Sequence, residues 1–169
     1  DLEARLIGRS PQMQTVRRLI LDVAGAAVDV LIHGETGTGK EMVARCLHDL
    51  SCPGQENYVA LNCGGMAETL LDSELFGHEP GAFTGAQKRR IGKIEYARGG
   101  TLFLDEVETM PMPMQIKLLR VLQERVIERL GSNQLLPVAC RVVAASKSDL
   151  KQLSDQGRFR SDLYYRLTV

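Results

Sequence analysis

The chain has 169 residues, 44% hydrophobic and 25% charged, and its 21 lysines and arginines balance 21 aspartates and glutamates. That is the size and composition of one globular domain with a real core, and the charge balance excludes a strong basic field for holding nucleic acid. Cys46, Cys52, Cys63 and Cys140 show no C-x-x-C pairing, the three histidines show no H-E-x-x-H spacing, and no apolar stretch reaches membrane-spanning length. Metal and disulfide readings are therefore weak, and a soluble cytoplasmic protein without a membrane partner is expected.

Ser10-Pro11 predicts a helix start, and Met13, Val16, Ile20 and Val23 recur at helical spacing until Gly25 stops the run. A β-branched strand from Val28 to His33 leads into Gly34-Glu35-Thr36-Gly37-Thr38-Gly39-Lys40. This is the G-x-x-x-x-G-K spacing of a phosphate loop: glycines let backbone N–H groups close around phosphates, and the lysine neutralises the outer ones. A helix is predicted from Glu41 to Leu50, with Glu41 standing where Ser or Thr is expected. Without that hydroxyl, magnesium can still bind, because it commonly keeps several waters and leans on substrate phosphates with one or two protein carboxylates.

Further along come a strand from Tyr58 to Asn62, a helix from about Ala67 to Phe76 and a glycine-rich segment from Gly77 to Arg90. A strand from Thr101 to Asp105 and a helix from Pro113 to Glu124 follow. Val126 to Pro137 is predicted to be a hairpin around Gly131-Ser132-Asn133, followed by a strand from Arg141 to Ser146 and a helix after Ser148. Alternation of this kind predicts an α/β domain, a mainly parallel sheet with helices on both faces in three α/β/α layers. Asp105-Glu106 closes the most apolar strand at its carboxyl end, where ligands bind in open parallel sheets. Together with the phosphate loop, this pair predicts an ATP site in which Asp105 holds Mg2+ and Glu106 acts as general base toward the attacking water. Glu108 reads as a surface acid. Lys88, Arg89, Arg90 and Lys93 read as a solvated basic rim, and Leu119, Leu122 and Val126 as a core stripe.

Gly81-Ala82-Phe83-Thr84-Gly85-Ala86, preceded by Glu74-Leu75-Phe76-Gly77-His78-Glu79, closely resembles the signature loop of the sigma-54-dependent transcription activators, a bacterial branch of the AAA+ ATPases. Leu61-Asn62-Cys63, the strand from Thr101 to Glu106 and the block from Arg160 to Leu167 look like family blocks too, and Glu41 looks like a family trait. The resemblance runs from Ile7-Gly8 to the end of the chain. It implies an AAA+ P-loop NTPase that assembles as a ring, a hexamer of identical subunits, with ATP between neighbours. Hydrolysis there moves the Gly81–Ala86 loop against sigma-54, so that the closed promoter complex is remodelled. By position, Phe83 and Thr84 would touch sigma-54, Asn62 would restrain Glu106, and Arg160 and Arg166 would be arginine fingers for the neighbouring site, the alternative for these two being surface pairs with Asp155 or Asp162. The resemblance also implies a helical lid beyond Val169, and DNA binding through a separate domain. One corner departs from the pattern: where the family commonly has Thr-Asn to read the γ-phosphate, this chain has Ser146-Lys147. Ser146 keeps a hydroxyl for that role, but Lys147 cannot accept a hydrogen bond. The Ser-Lys pair resembles the C4-dicarboxylate transport branch of the family.

Overall fold

A computed structural model describes residues 2–54 and 57–168; Val169, beyond which the lid is expected, lies outside the described residues. A short α1 (Leu2–Arg5) precedes α2 (Pro11–Ala24), whose first turn is capped by the Ser10 hydroxyl accepting from Met13 N–H at 3.2 Å. β1 (Val30–His33), α3 (Lys40–Ser51), β2 (Tyr58–Asn62) and α4 (Glu68–Phe76) follow. Then come β3 (Gly77–His78), β4 (Arg90–Ile91), α5 (Lys93–Tyr96), β5 (Thr101–Asp105) and, after a 3-10 turn over Val107–Thr109, α6 (Met112–Glu124). The remainder is β6 (Val126–Ile127), β7 (Leu136–Pro137), β8 (Arg141–Ser146), α7 (Leu150–Asp155) and α8 (Ser161–Leu167).

The four longer strands form one parallel sheet in the order β1-β8-β5-β2. Side chains alternate faces along a strand, so each strand feeds two cores. Leu102, Leu104, Val142 and Ala144 point to one face, under α4, α6 and α8, where Leu71, Leu75, Met114, Leu118, Leu122 and Leu163 bury them. Phe103, Val143 and Ala145 point to the other face, against Ile20 of α2 and Ala44 and Leu47 of α3. Both faces are covered, and three α/β/α layers result, as the alternation of elements predicts.

β1 begins two residues later than its apolar run suggests. The Asp29 carboxylate accepts the Val142 N–H at 3.1 Å, and Arg141 Nε donates to Val28 O at 2.9 Å. Side chains therefore take the main-chain partners that two further ladder positions would need. Arg141 also donates to Val23 O and Ala26 O at the end of α2, closing that edge of the domain.

The two insertions pack together. β6 and β7 make the expected antiparallel hairpin, with Gly131 at φ 79° in its loop. β3 and β4 make a second small antiparallel pair, and His78 forms a bridge to Leu130 across the two insertions.

Candidate functional site

The carboxyl ends of the parallel strands share one rim. Asn62 at the end of β2 is in register with Asp105 at the end of β5, and β8 places Lys147 just past its last residue on the neighbouring strand. Together with Thr36, Gly37, Gly39, Lys40, Glu41 and Glu106, these residues line a cleft of about 260 Å³.

The loop between β1 and α3 has the shape its glycines allow. Gly37 and Gly39 sit at φ 83° and 86°, a region that costs other residues strain, and a Cβ added at either would meet nothing within 4 Å. Gly39 is the N-cap of α3 and supplies no side-chain cap, so the first-turn N–H groups of a twelve-residue helix have no side-chain acceptor at that position. This is the chemistry of an anion cradle. Lys40 Nζ donates to the loop carbonyls of Gly34 and Glu35, the latter at 2.8 Å, which places the ammonium across the mouth of the loop. Gly34, Glu35 and Thr38 shape the loop from behind: Thr38 Oγ1 donates to Glu35 O at 2.6 Å, and a Cβ on Gly34 would lie 2.7 Å from that hydroxyl. Glu41 turns its carboxylate toward Arg45, at 3.2 Å, and the Arg45 guanidinium stacks 4.5 Å over the Tyr58 ring.

Opposite the loop, Asp105 Oδ1 accepts the Glu106 N–H at 2.8 Å. Glu106 adopts φ 54°, uncommon for a residue with a side chain. Its carboxylate packs over Gly64, where an ideal Cβ would stand 2.1 Å from Glu106 Oε2. Gly64 is thus a site residue that motif reading passes over; the signal was a glycine pair directly after Asn62-Cys63, at the turn out of a strand. The donor set suits magnesium. Asp105 is a single strand-end carboxylate, and among the described residues no group of three or more His, Cys, Asp or Glu is placed to hold a metal, so such an ion would lean on water and phosphate oxygens.

Two expectations are corrected here, for Ser146 and Glu108. Ser146 is buried and spends its hydroxyl on Ser148, donating to its carbonyl at 2.8 Å and accepting from its N–H at 3.1 Å, so it does not line the cleft. Asn62 lines the cleft with Glu106, its Oδ1 accepting the Gly64 N–H at 2.8 Å, and Lys147 Nζ lies 3.8 Å from Glu106 Oε1. Glu108 is no surface acid: the 3-10 turn after Glu106 points it inward, and both carboxylate oxygens are buried without a hydrogen-bond partner. It adds to the negative surroundings of the Cys63 thiol, which burial first, then Asp105, Glu108 and Glu106, push up to about 12. The basic rim is solvated as expected, Lys88, Arg89 and Arg90 being exposed, with surface pairs of Arg89 to Glu79 at 3.0 Å and Arg90 to Glu74 at 2.6 Å.

The Gly81–Ala86 loop lies apart from the cleft. Gly81 and Gly85 take φ 81° and 95°, Gly81 N–H donates to Ala86 O at 2.7 Å, and the turn leaves Phe83 and Thr84 exposed at its tip. Ala82 packs on the second insertion, where a Cβ on Gly131 would stand 2.9 Å from its own. Phe83 leans edge-on against the His78 ring, 4.9 Å between centroids. Arg129 ties the base of the loop down, with two 2.9 Å bonds to Glu95 and one to Glu79. Arg160 and Arg166 also lie away from this chain's own cleft. Arg160 makes a two-pronged pair with Asp162, at 3.0 and 2.8 Å, and Arg166 donates to Leu122 O at 3.1 Å.

Residues 6–169 match the sigma-54 interaction domain family. The chain belongs to this family. It is 63% identical, over all 169 residues, to the C4-dicarboxylate transport transcriptional regulatory protein DctD of Pseudomonas aeruginosa, a match to the branch suggested by Ser146-Lys147. The chain spans 37% of that relative's length. Among solved structures, NtrX of Brucella abortus in complex with ATP superposes with a TM-score of 0.85 at 36% identity, covering 97% of this chain and 37% of that one. The P-loop NTPase domain of an Escherichia coli sigma-54 transport activator shares the fold, with a TM-score of 0.60 at 20% identity over 88% of this chain and 98% of that one. This sigma-54 interaction domain therefore has the AAA+ P-loop NTPase fold.

Proposed function

We propose that this domain hydrolyses ATP in the cleft between the phosphate loop and the Asp105-Glu106 strand end, and that turnover moves the Gly81–Ala86 loop against sigma-54 of RNA polymerase to open the promoter. The convergence of Lys40, Asp105 and Glu106 on one cleft carries this reading, and the exposed tip at Phe83 and Thr84 supplies the contact surface. Uncapped N–H groups at the start of α3 and the Lys40 ammonium hold the phosphates. Mg2+, held by Asp105 and the substrate, would supply charge neutralisation at the phosphate oxygens. Glu106 accepts the proton of the attacking water, whose oxygen bonds to the γ-phosphorus as the bond to the ADP oxygen breaks.

Arg160 and Arg166, which do not reach the cleft of their own chain, act on a neighbour's in an assembled ring of identical subunits. A guanidinium inserted there offsets transition-state charge, so hydrolysis waits for assembly. The full-length protein works in the cytoplasm and reaches DNA through a further domain. A nucleotide-gated module that binds without turnover is the second reading, favoured by Lys147 standing beside Glu106.

Two variants of the full-length protein test the proposal. Glu106→Gln is expected to keep nucleotide binding and to lower turnover by about 10²-fold or more; unchanged turnover removes Glu106 from the mechanism, and a wild-type protein with no turnover leaves the gated module standing. Thr84→Ala is expected to keep ATP turnover and lose promoter opening. Opening at the wild-type level refutes the sigma-54 contact.

A further inference from the structure

Gln115 of α6 is a polar side chain buried to 1% exposure, and the mechanism above gives it no task. A buried carboxamide costs stability unless its nitrogen and oxygen are bonded, and here both are. Gln115 Nε2 donates to Met110 O at 2.9 Å, and Gln115 Oε1 accepts the Arg160 N–H at 2.9 Å. The two partners lie in different parts of the machinery. Met110 closes the turn that leaves Glu106: Thr109 N–H and Oγ1 both donate to Glu106 O, at 3.0 and 2.7 Å, and Met110 N–H donates to Val107 O at 3.1 Å. Arg160 stands just before α8, its guanidinium paired with Asp162, whose Oδ1 also accepts the Leu163 N–H at 2.8 Å. Phe159 and Leu163 on either side of Arg160 are buried in the same core as Met110 and Met114, so this segment is packed on α6.

We propose that Gln115 is a positioning residue for Arg160: it sets where that arginine stands and ties the place to the turn behind Glu106 of the same subunit. The inference rests on reading the cleft as an ATPase site and Arg160 as a finger for the neighbouring subunit, and it names the side chain that joins a subunit's own cleft to the finger it presents. A shift of the Glu106 turn moves the Met110 carbonyl, the planar carboxamide follows, and the main chain of Arg160 follows the carboxamide. The orientation of the amide is fixed by its partners, since a carbonyl needs the nitrogen and a main-chain N–H needs the oxygen. Small shifts suffice, because a group misplaced by about 1 Å loses on the order of 10²-fold in rate. The side chain of Arg160 can leave Asp162 for a neighbour's phosphate while its main chain stays on Gln115, so the tie persists when the finger is engaged.

The test uses mixed rings of the full-length protein. A cleft owner carries Arg160→Ala and a finger donor carries Lys40→Ala, so turnover needs the cleft of one and the finger of the other. Gln115→Met in the donor is expected to lower that turnover by about tenfold or more, and in the owner by less than about threefold, with KM for ATP kept within about twofold. A carboxamide that merely filled the core would cost the same in either placement. A second donor, Glu106→Gln, keeps ATP in its own cleft, and the owner's turnover should differ by about fivefold or more between the two donors. Gln115→Glu keeps an acceptor for the Arg160 N–H and loses the donor for Met110 O; in both donors it should remove that difference and leave the owner active, and it decides the outcome if Gln115→Met does not fold. A Gln115→Met protein that still binds a non-hydrolysable ATP analogue, yet loses equally in both placements or not at all, overturns the positioning role. A difference between donors that is absent, or that survives Gln115→Glu, overturns the tie to the donor's cleft. Mixed rings unchanged at Gln115 that show no turnover overturn the finger reading beneath both.

Discussion

Gly64 offers the sharpest perturbation of the site, because one methyl group there acts on Glu106 and on little else. An added Cβ would stand 2.1 Å from Glu106 Oε2, 3.0 Å from its Cδ and 3.1 Å from Asn62 Oδ1. The last two contacts are tight and tolerable, whereas the first requires the carboxylate to retreat by about 1 Å. Glu106 can retreat, since its side chain is flexible and its carboxylate stands in an open cleft, so the fold should survive. Gly64 is also absent from the glycines with positive φ, so alanine fits its backbone and should add up to about 1 kcal/mol by restricting the unfolded chain. A displacement of about 1 Å in a group that must meet a water in line with the γ-phosphorus costs on the order of 10²-fold in rate. Gly64→Ala is therefore expected to retain ATP binding and thermal stability while losing about two orders of magnitude in turnover. The measurements are a steady-state phosphate-release assay beside a melting curve. Wild-type turnover by a folded Gly64→Ala variant would refute the position assigned to the general base. Loss of both stability and turnover would show that Gly64 serves the backbone instead.

Two further predictions concern the surroundings of the site. Hydrogen bonds from Arg89, then Arg129, hold the Glu79 carboxyl below its ordinary value of 4.5. A depressed pKa means that this anchor of the loop base is complete above pH 4.5 and is lost as pH falls through the lowered value. Hydrogen-exchange protection of the amides between Gly77 and Ala86 should thus be flat from neutrality down to pH 4.5 and should fall below it; a decline already at pH 6 would contradict the assignment. Glu108, whose two buried oxygens find no partner, should destabilise the domain, and Glu108→Met is expected to raise its unfolding free energy by about 1–3 kcal/mol in urea titration. A less stable variant would mean that Glu108 has a partner, such as an ordered water, that its methionine replacement loses.

What was legible in the sequence follows from how local each signal is. β2, β5 and β8 keep their predicted bounds because each is an apolar run, buried throughout in β5 and β8 and on alternate residues in β2, closed by a polar residue, Asn62, Asp105 or Ser146, at the rim. The phosphate loop could be read because its function depends on glycine spacing within seven residues. Ser146 misled because a serine at a strand end can satisfy its hydroxyl two residues on, and that local turn wins over the cleft. The pairing of Lys147 with Glu106 spans 41 positions and exists because β8 lies beside β5, which only the sheet order reveals. The β3 and β4 pair is two residues long and contains Gly77 and Arg90, with no alternation to mark it. Its register comes from contacts that no window of sequence contains: His78 against Leu130, and Arg129 between Glu79 and Glu95.

The same contacts give the proposed transmission a physical path. Asn62 ends β2 at the cleft, Gly64 supports Glu106, and α4 runs from Glu68 to Phe76, a nine-residue rod about 13 Å long, before Gly77 opens the loop. α4 buries Leu71, Leu75 and Phe76 in the core beneath β5, so it moves as a rigid body or not at all. At its far end Gly77 is pinched against β4, where an added Cβ would stand 2.4 Å from Arg90 O, and Arg90 pairs back to Glu74 on α4 itself. The lever and the loop base are therefore one unit, and the softer joint lies at the cleft end, where Gly64 and Gly65 join β2 to α4. A shift of Glu106 across Gly64 presses on that joint directly. In the proposed mechanism a shift at the cleft would travel along α4 to Phe83 and Thr84, with Arg129 and the second insertion limiting the direction in which the loop could swing.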